Sequence, residues 1–332
     1  MNRKIIRFAV CALLFVLCSS AWAQQPGKVA RVGILFIGGR DQPHLEAFKN
    51  GLRERGYIEG KNIAFEYRYA EGNVDRLPSL AAELVQSKLN VIVTTSGNSA
   101  RAVTRATKTI PVVLTTGADP VKLGLAKSLA KPGGNVTGLS VIEEDLSGKR
   151  VEILKETLPR MTRMAYLWNP VAVSYKDASG SGNLSYDQAR KAAQTVGVQL
   201  QSYEVHTLRE IENAFTDLTK ARPQALLVLL SPLMTLNSNR IVNLALDHRF
   251  PGMYPTRQFA EEGGLMAYGP LIGELYRRAA TYVDKILKGV NPADLPIEQP
   301  TKFELVINLK AAKQIDVTIP TAVLARADKV IR

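Results

Sequence analysis

The regular alternation of two kinds of segment constrains the fold of this chain more than any other feature. Short apolar runs rich in β-branched residues alternate with longer amphipathic segments from about residue 29 onward. Val32 to Ile37, for example, is followed by His44 to Arg55, in which Leu45, Phe48 and Leu52 are spaced to share one helical face. Such alternation is typical of strand-helix units around a parallel sheet. The sequence therefore predicts an α/β protein.

A Gly- and Pro-containing interruption, Lys131 to Asn135, divides the alternating pattern into two parts. Before it we predict strands at 32–37, 63–69, 91–95 and 112–116, and helices at 44–55, 77–87 and 99–108. After it we predict an extended segment at 135–141, strands at 164–168, 200–205, 225–230 and 253–254, and helices at 146–158, 186–196, 208–220 and 239–248. Each part has the pattern of one Rossmann-like domain, so we expect two such lobes with parallel sheets.

The last part of the chain does not continue the second domain in a simple way. Its pattern predicts strands at 265–268 and 303–308, a long helix at 271–287 and a closing helix at 322–330. If these elements belong to different lobes, the chain crosses between the lobes more than once, and such crossings form a hinge beside a cleft. We therefore assign residues 29–140 plus 269–298 to an N-terminal lobe, and residues 141–268 plus 299–332 to a C-terminal lobe.

The first residues have the organisation of an export signal. A short basic region precedes an apolar run from Phe8 to Cys18, which is too short to span a bilayer, and a small-x-small site follows at Ala21 to Ala23. We predict that residues 1–23 are a signal peptide, cleaved after Ala23, and that the mature chain is periplasmic. A lipid anchor on Cys18 is the competing interpretation, and the two bulky residues before that cysteine argue against it.

The sequence lacks the usual motifs of several kinds of catalytic and metal-binding site. Both cysteines, Cys11 and Cys18, lie in the predicted signal peptide, so the mature chain has no thiol for a disulfide, a metal or a nucleophile. The three histidines, His44, His206 and His248, are far apart, and we interpret them as surface or loop residues. Neither a GxSxG elbow nor a glycine-rich phosphate loop is present. We therefore predict no metal, no cofactor and no catalysis, which leaves an exported hydrolase without support.

The chain is basic, but its charges do not indicate a polyanion as partner. The sequence has 43 Lys and Arg against 30 Asp and Glu, a formal net charge of +13. The basic residues are scattered over the predicted helices and are not interleaved with aromatic residues, so we predict no nucleic-acid partner. Adjacent acidic residues, such as Glu143 and Glu144, would diverge on a helix or strand, and we interpret them as solvated.

Polar residues follow the predicted strands at their carboxyl ends. They are Thr95 to Ser99 and Thr116 to Pro120 in the first lobe, and Asn169-Pro170, Ser231-Pro232 and Tyr254-Pro255 in the second. Ligands of open α/β sheets bind at this edge, where helix N-termini present free N–H groups to an anion. Each segment taken alone is more readily explained as a helix cap or turn. Together, facing one cleft, they predict a ligand-binding site.

Several segments, in order along the chain, resemble one known family. They are Ala70 to Gly72 with Asp75 to Pro78, Gly117 to Gly124, Lys131 to Gly138, Gly263 to Gly269 and Pro300 to Leu309. They are similar to the signature segments of the ABC-transporter substrate-binding proteins related to the tryptophan/tyrosine-binding proteins, and the resemblance runs over residues 31–331. It implies a type I periplasmic-binding-protein fold, with two lobes joined by three crossovers. It also implies a small-molecule ligand and an ABC permease in the inner membrane as partner, and we expect a monomer.

The resemblance further implies which residues hold the ligand. Carried over by position, they are Ser96, Asn98, Ser99, Gly117 and Asp119 in the first lobe, and Asn169, Ser231 and Tyr254 in the second. This chain departs from the family in a longer loop, Val171 to Ser185, which borders the predicted cleft and contains a further candidate contact, Tyr175. Family members with known ligands bind aromatic amino acids, whereas this loop leaves open another amino acid or a related carboxylate. A periplasmic sensor that presents its closed form to a signalling receptor stays open as an alternative role.

Overall fold

The computed structural model describes residues 29–40, 42, 44–117, 119–141, 143–170 and 184–332. The predicted signal peptide, residues 1–23, and the candidate Tyr175 lie outside the described residues. The described residues form two α/β lobes, each built on a parallel or mostly parallel sheet. None of the described helices is long and apolar enough to cross a membrane.

The first sheet has the order β2-β1-β3-β4-β5 among the described strands, and every neighbouring pair is parallel. The strands are β1 Ala30–Phe36, β2 Ile63–Tyr69, β3 Val91–Thr94, β4 Val112–Leu114 and β5 Val136–Gly138. The helices within this stretch are α1 Leu45–Arg53, α2 Leu77–Gln86 and α3 Gly97–Ala106, with a 3₁₀ turn at Val74–Arg76. Core clusters form on both faces of the sheet, so the central strand β3 is buried along its whole length.

The second sheet has the order β12-β11-β10-β9-β8-β6-β7 among the described strands, and only β10 and β11 pair antiparallel there. The strands are β6 Arg163–Trp168, β7 Gln199–Glu204, β8 Ala225–Val228, β9 Gly252–Tyr254, β10 Met266–Pro270, β11 Phe303–Asn308 and β12 Lys329–Ile331. The helices from this part of the chain are α4 Glu143–Thr157, α5 Leu184–Thr195, α6 Leu208–Ala221, α7 Pro232–Leu236, α8 Ser238–Asp247, α9 Arg257–Glu261, α10 Ile272–Leu287, α11 Leu309–Gln314 and α12 Thr321–Leu324, with a 3₁₀ turn at Pro292–Asp294.

Helix α10 follows a strand of the second sheet but packs against the first. Its buried residues, which include Leu275 and Val283, share a core cluster with Phe48 of α1 and with the strands of the first sheet. The two helices approach closely because Gly51 has no side chain: a Cβ there would lie 2.5 Å from the Arg277 carbonyl oxygen. The first lobe is therefore completed by a helix from late in the chain.

The chain passes between the two sheets after β5, between β10 and α10, and before β11. The first and the last of these passages are bonded to each other. The Ser140 N–H donates to the Glu298 carbonyl and the Glu298 N–H donates to the Gly138 carbonyl, both over 3.0 Å. Several adjacent segments thus join the lobes, which is the arrangement of a hinge rather than of a flexible linker.

The predicted closing helix at 322–330 is wrong. The structure has the short helix α12 and then strand β12, which pairs in parallel with β11. Asp328 begins this pairing, because its N–H donates to the Leu305 carbonyl over 2.9 Å and its carboxylate accepts the Leu305 N–H over 2.7 Å. Pairing with a strand distant in sequence therefore overrides the local helical pattern.

Candidate ligand-binding cleft

A cleft of about 860 Å³ lies between the two lobes. The first lobe lines it with residues that follow β1, β3 and β4, including Gly38, Gln42, His44, Thr95, Ser96, Gly97, Asn98, Thr116 and Gly117. The second lobe lines it with residues that follow β8 and β9, including Leu230, Ser231, Pro232, Thr235, Leu236, Asn237, Thr256, Gln258, Glu261 and Glu262. The lining thus contains four of the predicted contacts, Ser96, Asn98, Gly117 and Ser231, at the edge where open α/β sheets bind ligands.

The first-lobe wall is shaped by the start of α3. A capping box begins this helix: Ser96 Oγ accepts the Ser99 N–H over 3.2 Å, and Ser99 Oγ accepts the Ser96 N–H over 3.1 Å. A Cβ on Gly97 would lie 2.7 Å from Leu123 Cδ1, and one on Gly117 would lie 3.3 Å from the Gly97 nitrogen. These glycines leave room for two strand-end loops to approach, so backbone groups form much of this wall.

The second-lobe wall is shaped by short helices. Ser231 caps α7, because its Oγ accepts the Met234 N–H over 3.2 Å. Gln258 in α9 donates from Nε2 to Ser238 Oγ and to Glu262 Oε1, both over 2.9 Å. These bonds tie the start of α8 to α9 and hold a carboxylate on this wall.

The two lobes touch at the edge of the cleft. A Cβ on Gly38 would lie 3.3 Å from Leu236 Cδ2, and a Cβ on Gly72 would lie 4.0 Å from Leu236 Cδ1. Leu236 is 50% exposed although it lines the cleft, which places it at the rim. A leucine of the second lobe therefore rests on the backbone of the first lobe in this structure.

Two predicted contacts of the first lobe hold the backbone instead of lining the cleft. Ser99 is fully buried within the capping box of α3. Asp119 Oδ1 accepts the N–H groups of Val121 and Lys122, over 2.8 and 3.3 Å, and so stabilises the turn that follows Gly117. Both side chains support loops that do line the cleft, and a direct ligand contact by either stays a prediction.

Two predicted contacts of the second lobe lie inside that lobe. Asn169 is 2% exposed and donates from Nδ2 to the Val205 carbonyl over 2.7 Å. Tyr254 is 1% exposed and stacks on Phe259 with a centroid distance of 5.1 Å, and burial raises the pKa of its hydroxyl. Neither residue is part of the cleft lining. Asn169, after β6, is held by its bond to Val205, and Tyr254 ends β9, which is buried on both faces, so that its side chain enters the core.

The cleft also contains an aromatic pair that the sequence did not reveal. The rings of His44 and Tyr276 lie 5.6 Å apart between centroids, and both residues line the cleft. Burial lowers the pKa of His44 below its ordinary value of 6.5 and raises the pKa of Tyr276 to about 12. Both side chains are therefore neutral near pH 7. Tyr276 belongs to α10, so only the return of that helix to the first lobe brings the pair together.

Glu143, the first residue of α4, lines the cleft beside the hinge and is not solvated. Its side chain is 11% exposed and forms an ion pair with Arg150, whose side chain is 1% exposed. The prediction that Glu143 is solvated is therefore wrong. The sequence did contain a signal, since residues seven apart share one face of a helix and these two have opposite charges.

Within the described residues, no group of three or more His, Cys, Asp and Glu side chains is placed to hold a metal ion. The lining of the cleft instead combines hydroxyl, amide and backbone groups with aliphatic side chains, one aromatic pair, Arg240 and several carboxylates. This chemistry suits a small molecule that has both apolar surface and hydrogen-bonding groups.

A model of the family described as ABC transporter substrate binding protein matches residues 38–331, which covers most of the chain. The chain belongs to this family. The resemblance of the signature segments is thereby confirmed, and the strand-end loops of both lobes fall within the matched part of this substrate-binding protein.

Individual relatives of this substrate-binding protein support the same family assignment. The tyrosine-binding protein of Clostridioides difficile (strain R20291) is 27% identical over 333 residues, which cover 95% of this chain and 93% of the relative. The structure of the ABC domain from Streptococcus pneumonia in complex with L-Trp has a TM-score of 0.81 at 25% identity, and covers 91% of this chain and 99% of that one. A conserved domain protein from Vibrio cholerae has a TM-score of 0.82 at 29% identity, and covers 91% of this chain and 100% of its own.

These comparisons confirm the predicted fold and class. The substrate-binding protein has the type I periplasmic-binding-protein fold, with two α/β lobes and a cleft between them. Its relatives are binding proteins, so it is a binding protein and not an enzyme.

Proposed function

We propose that this substrate-binding protein captures a small molecule between its lobes and delivers it to an ABC permease in the inner membrane. The observation that carries the proposal is the cleft itself, in which strand-end loops of both sheets face one cavity of about 860 Å³. A cavity of this size suits a small-molecule ligand and encloses it from two sides. A ligand that bridges the lobes favours a closed form, and the closed form is what the permease recognises.

The proposed ligand is an amino acid or a related carboxylate. Ser96, Asn98 and Gly117 surround the start of α3, where backbone N–H groups and the helix dipole favour a carboxylate. The rings of His44 and Tyr276, tilted by 46° to each other, offer aromatic surface in the same cleft. The relative from Clostridioides difficile is named a tyrosine-binding protein, and the structure from Streptococcus pneumonia contains L-Trp. The same ligand class fits the groups on this cleft.

The proposal divides the predicted contacts into two groups. Those on the lining, Ser96, Asn98, Gly117 and Ser231, touch the ligand. Those with partners in the loops and the core, Ser99, Asp119, Asn169 and Tyr254, hold the wall in shape. Tyr175 stays a predicted contact.

The proposed movement is a hinge rotation of residues 29–140 plus 269–298 against residues 141–268 plus 299–332. Apart from Gly269 and Pro270, which end β10 and remain paired in the second sheet, each part contains its own sheet and its own core clusters, so a rotation at the passages between the sheets does not require either core to repack. Small-angle scattering should show a smaller radius of gyration in the presence of ligand than in its absence.

The proposed place of action is the periplasm, where the protein acts as a monomer after removal of residues 1–23. N-terminal sequencing of the exported protein should give Gln24 as the first residue. Retention of Arg3, or a lipid on Cys18, would contradict the proposed localisation.

Ligand-induced stabilisation tests the proposal. L-tyrosine or L-tryptophan at a hundredfold excess over Kd should raise the free energy of unfolding by about 2.7 kcal/mol. The variant Asn98→Trp should lose this stabilisation, because a bulky side chain at the start of α3 fills the cleft. The matched control Asn243→Trp, at an exposed position of α8, should keep it. If no standard amino acid stabilises the wild type and no small molecule co-purifies with it, the proposed ligand class is wrong.

A further inference from the structure

Arg150 places a guanidinium group in the interior of the second lobe, where a charge needs partners. Its side chain is 1% exposed. Nε donates to the Tyr268 carbonyl over 2.7 Å, and Nη2 donates to the Pro255 carbonyl over 3.4 Å. The carboxylate of Glu143 is the ionic partner, and each of its oxygens accepts a bond from one Nη. A planar guanidinium group that is hydrogen-bonded on several sides has little freedom to rotate, so it fixes the position of the Glu143 carboxylate.

The carbonyl groups that Arg150 bonds belong to segments around the cleft. Pro255 precedes Thr256 on the second-lobe wall, and Tyr268 lies in β10, just before the chain passes to the first lobe. The chain is tightly packed here: a Cβ on Gly269 would lie 1.9 Å from the Pro255 carbonyl oxygen and 3.5 Å from Arg150 Nη2. Arg150 therefore joins the cleft wall to a hinge passage.

Glu143 is the member of the ion pair that faces the cleft. It is part of the lining and is 11% exposed, whereas Arg150 lies behind it, so the negative end of the pair is nearer to the cleft. A carboxylate has about four lone-pair positions for hydrogen bonds. The two bonds from Arg150 and one from the Leu230 N–H, over 3.4 Å, occupy three of them. Counted over the described residues alone, these bonds leave capacity for one more donor.

The carboxylate is also close to the wall that offers N–H donors. The Val141 N–H, two residues before Glu143, donates to the Gly117 carbonyl over 2.9 Å. A Cβ on Gly117 would in turn lie 3.3 Å from the nitrogen of Gly97, the first residue of α3. The start of α3 and Glu143 are thus linked through short contacts at the hinge side of the cleft. The start of α3 favours the carboxylate of an α-amino acid, and the fixed carboxylate of Glu143 favours its ammonium group.

We propose that Glu143 binds the ammonium group of the ligand and that Arg150 is its positioning residue, an inference that rests on the proposed function of the cleft. The ion pair with Arg150 compensates the charge of the buried carboxylate within the protein, so Glu143 does not depend on the ligand for a cationic partner. The Glu143–Arg150 ion pair also selects for ligands that carry an amine. A carboxylate that lacks an amine leaves the last acceptor position of Glu143 without a donor and binds more weakly.

The test measures affinity for two ligands that differ by the amine: L-tyrosine and 3-(4-hydroxyphenyl)propionate. Calorimetric titration of the wild type should give about tenfold or more tighter binding of L-tyrosine. In Glu143→Gln, which keeps the size of the side chain, L-tyrosine should bind about tenfold more weakly and the amine-free ligand about as before. Arg150→Lys should also reduce the ratio of the two affinities, because a lysine cannot hold both oxygens.

The matched control is Glu152→Gln, a carboxylate on the same helix α4 that lies outside the cleft, is 48% exposed and pairs with Lys149 over 2.8 Å. It should leave both affinities unchanged. If Glu143→Gln does not fold, Glu143→Asp keeps the charge, withdraws it from the cleft and should lower the same ratio.

Two results would overturn the inference while the proposed function survives. One is a wild type that binds both ligands equally well. The other is a Glu143→Gln variant that weakens both ligands by the same factor, since a purely structural role does not distinguish the amine. A wild type that binds neither ligand contradicts the proposed ligand class itself, and the assignment of Glu143 with it.

Discussion

The two walls of the cleft are built from different groups, although both lie at the carboxyl ends of parallel strands. Among the described residues, the first-lobe lining has hydroxyls, amides, glycines and an aromatic pair, and it contains no carboxylate. The second-lobe lining carries Glu143, Arg240, Glu261 and Glu262. The first lobe thus offers backbone donors at the start of α3, whereas the second lobe offers charged side chains. In the proposed function, the first wall recognises the carboxylate of the ligand, and the second wall selects among carboxylates by the charge of their other groups.

The largest effect should come from the buried ion pair of the second lobe. Arg150→Met leaves Glu143 buried without its cation, and we expect the free energy of unfolding to fall by about 3–5 kcal/mol. The same substitution at Arg277 of α10 removes an exposed pair with Glu54 and should cost about 0–1 kcal/mol. Urea denaturation of both variants measures the difference. Equal losses of unfolding free energy in the two variants would mean that the buried ion pair of the second lobe contributes no more than the exposed pair of the first.

A smaller effect should come from the backbone of the first-lobe wall. A Cβ on Gly97 would lie 2.7 Å from Leu123 Cδ1, so Gly97→Ala must displace that side chain and should cost about 1–2 kcal/mol. Because Gly97 lines the cleft, ligand affinity should fall as well. Gly134→Ala is the control, since a Cβ there meets no atom within 4 Å. Thermal melts with and without L-tyrosine give both quantities, and an unchanged affinity would mean that this wall does not hold the ligand.

The sequence predicted the parts of the site that depend on local structure. Ser96, Asn98, Gly117 and Ser231 follow predicted strands, and a residue at the carboxyl end of a parallel strand lies at the ligand edge in any such sheet. The same rule misplaced Tyr254, because a strand covered on both faces gives no sign of which side chain enters the core. Helices as short as α7, α9 and α11 were missed because one or two turns show no periodicity.

The parts of the site that depend on the crossovers could not be predicted from the sequence. His44 and Tyr276 meet because α10 returns to the first lobe, and nothing in the local pattern of either segment indicates this contact. Glu143 and Arg150 share a helix face, yet their burial depends on the carbonyl groups of Pro255, just after β9, and Tyr268, in β10. The same long-range pairing turned the end of the chain into β12 instead of a helix.

The smallest effect should be the pH dependence contributed by the first-lobe histidine. Burial lowers the pKa of His44, so the unfolded chain binds more protons than the folded protein as the pH falls below about 6.5. The stability that His44 contributes is therefore complete above that pH and decreases below it. His44→Gln should flatten the stability curve between pH 7 and about 5, with His206→Gln at an exposed position as the control. A curve as steep as that of the wild type would contradict burial of His44 in the cleft.

A crystal structure of the complex with L-tyrosine, or with the compound that co-purifies, tests most directly whether the ligand is held between the two walls. We predict a ligand whose carboxylate accepts hydrogen bonds at the start of α3, near Ser96 and Asn98, and whose amine donates to Glu143 on the other lobe. A ligand bound to one lobe alone, or outside the cleft between the sheets, would contradict the account.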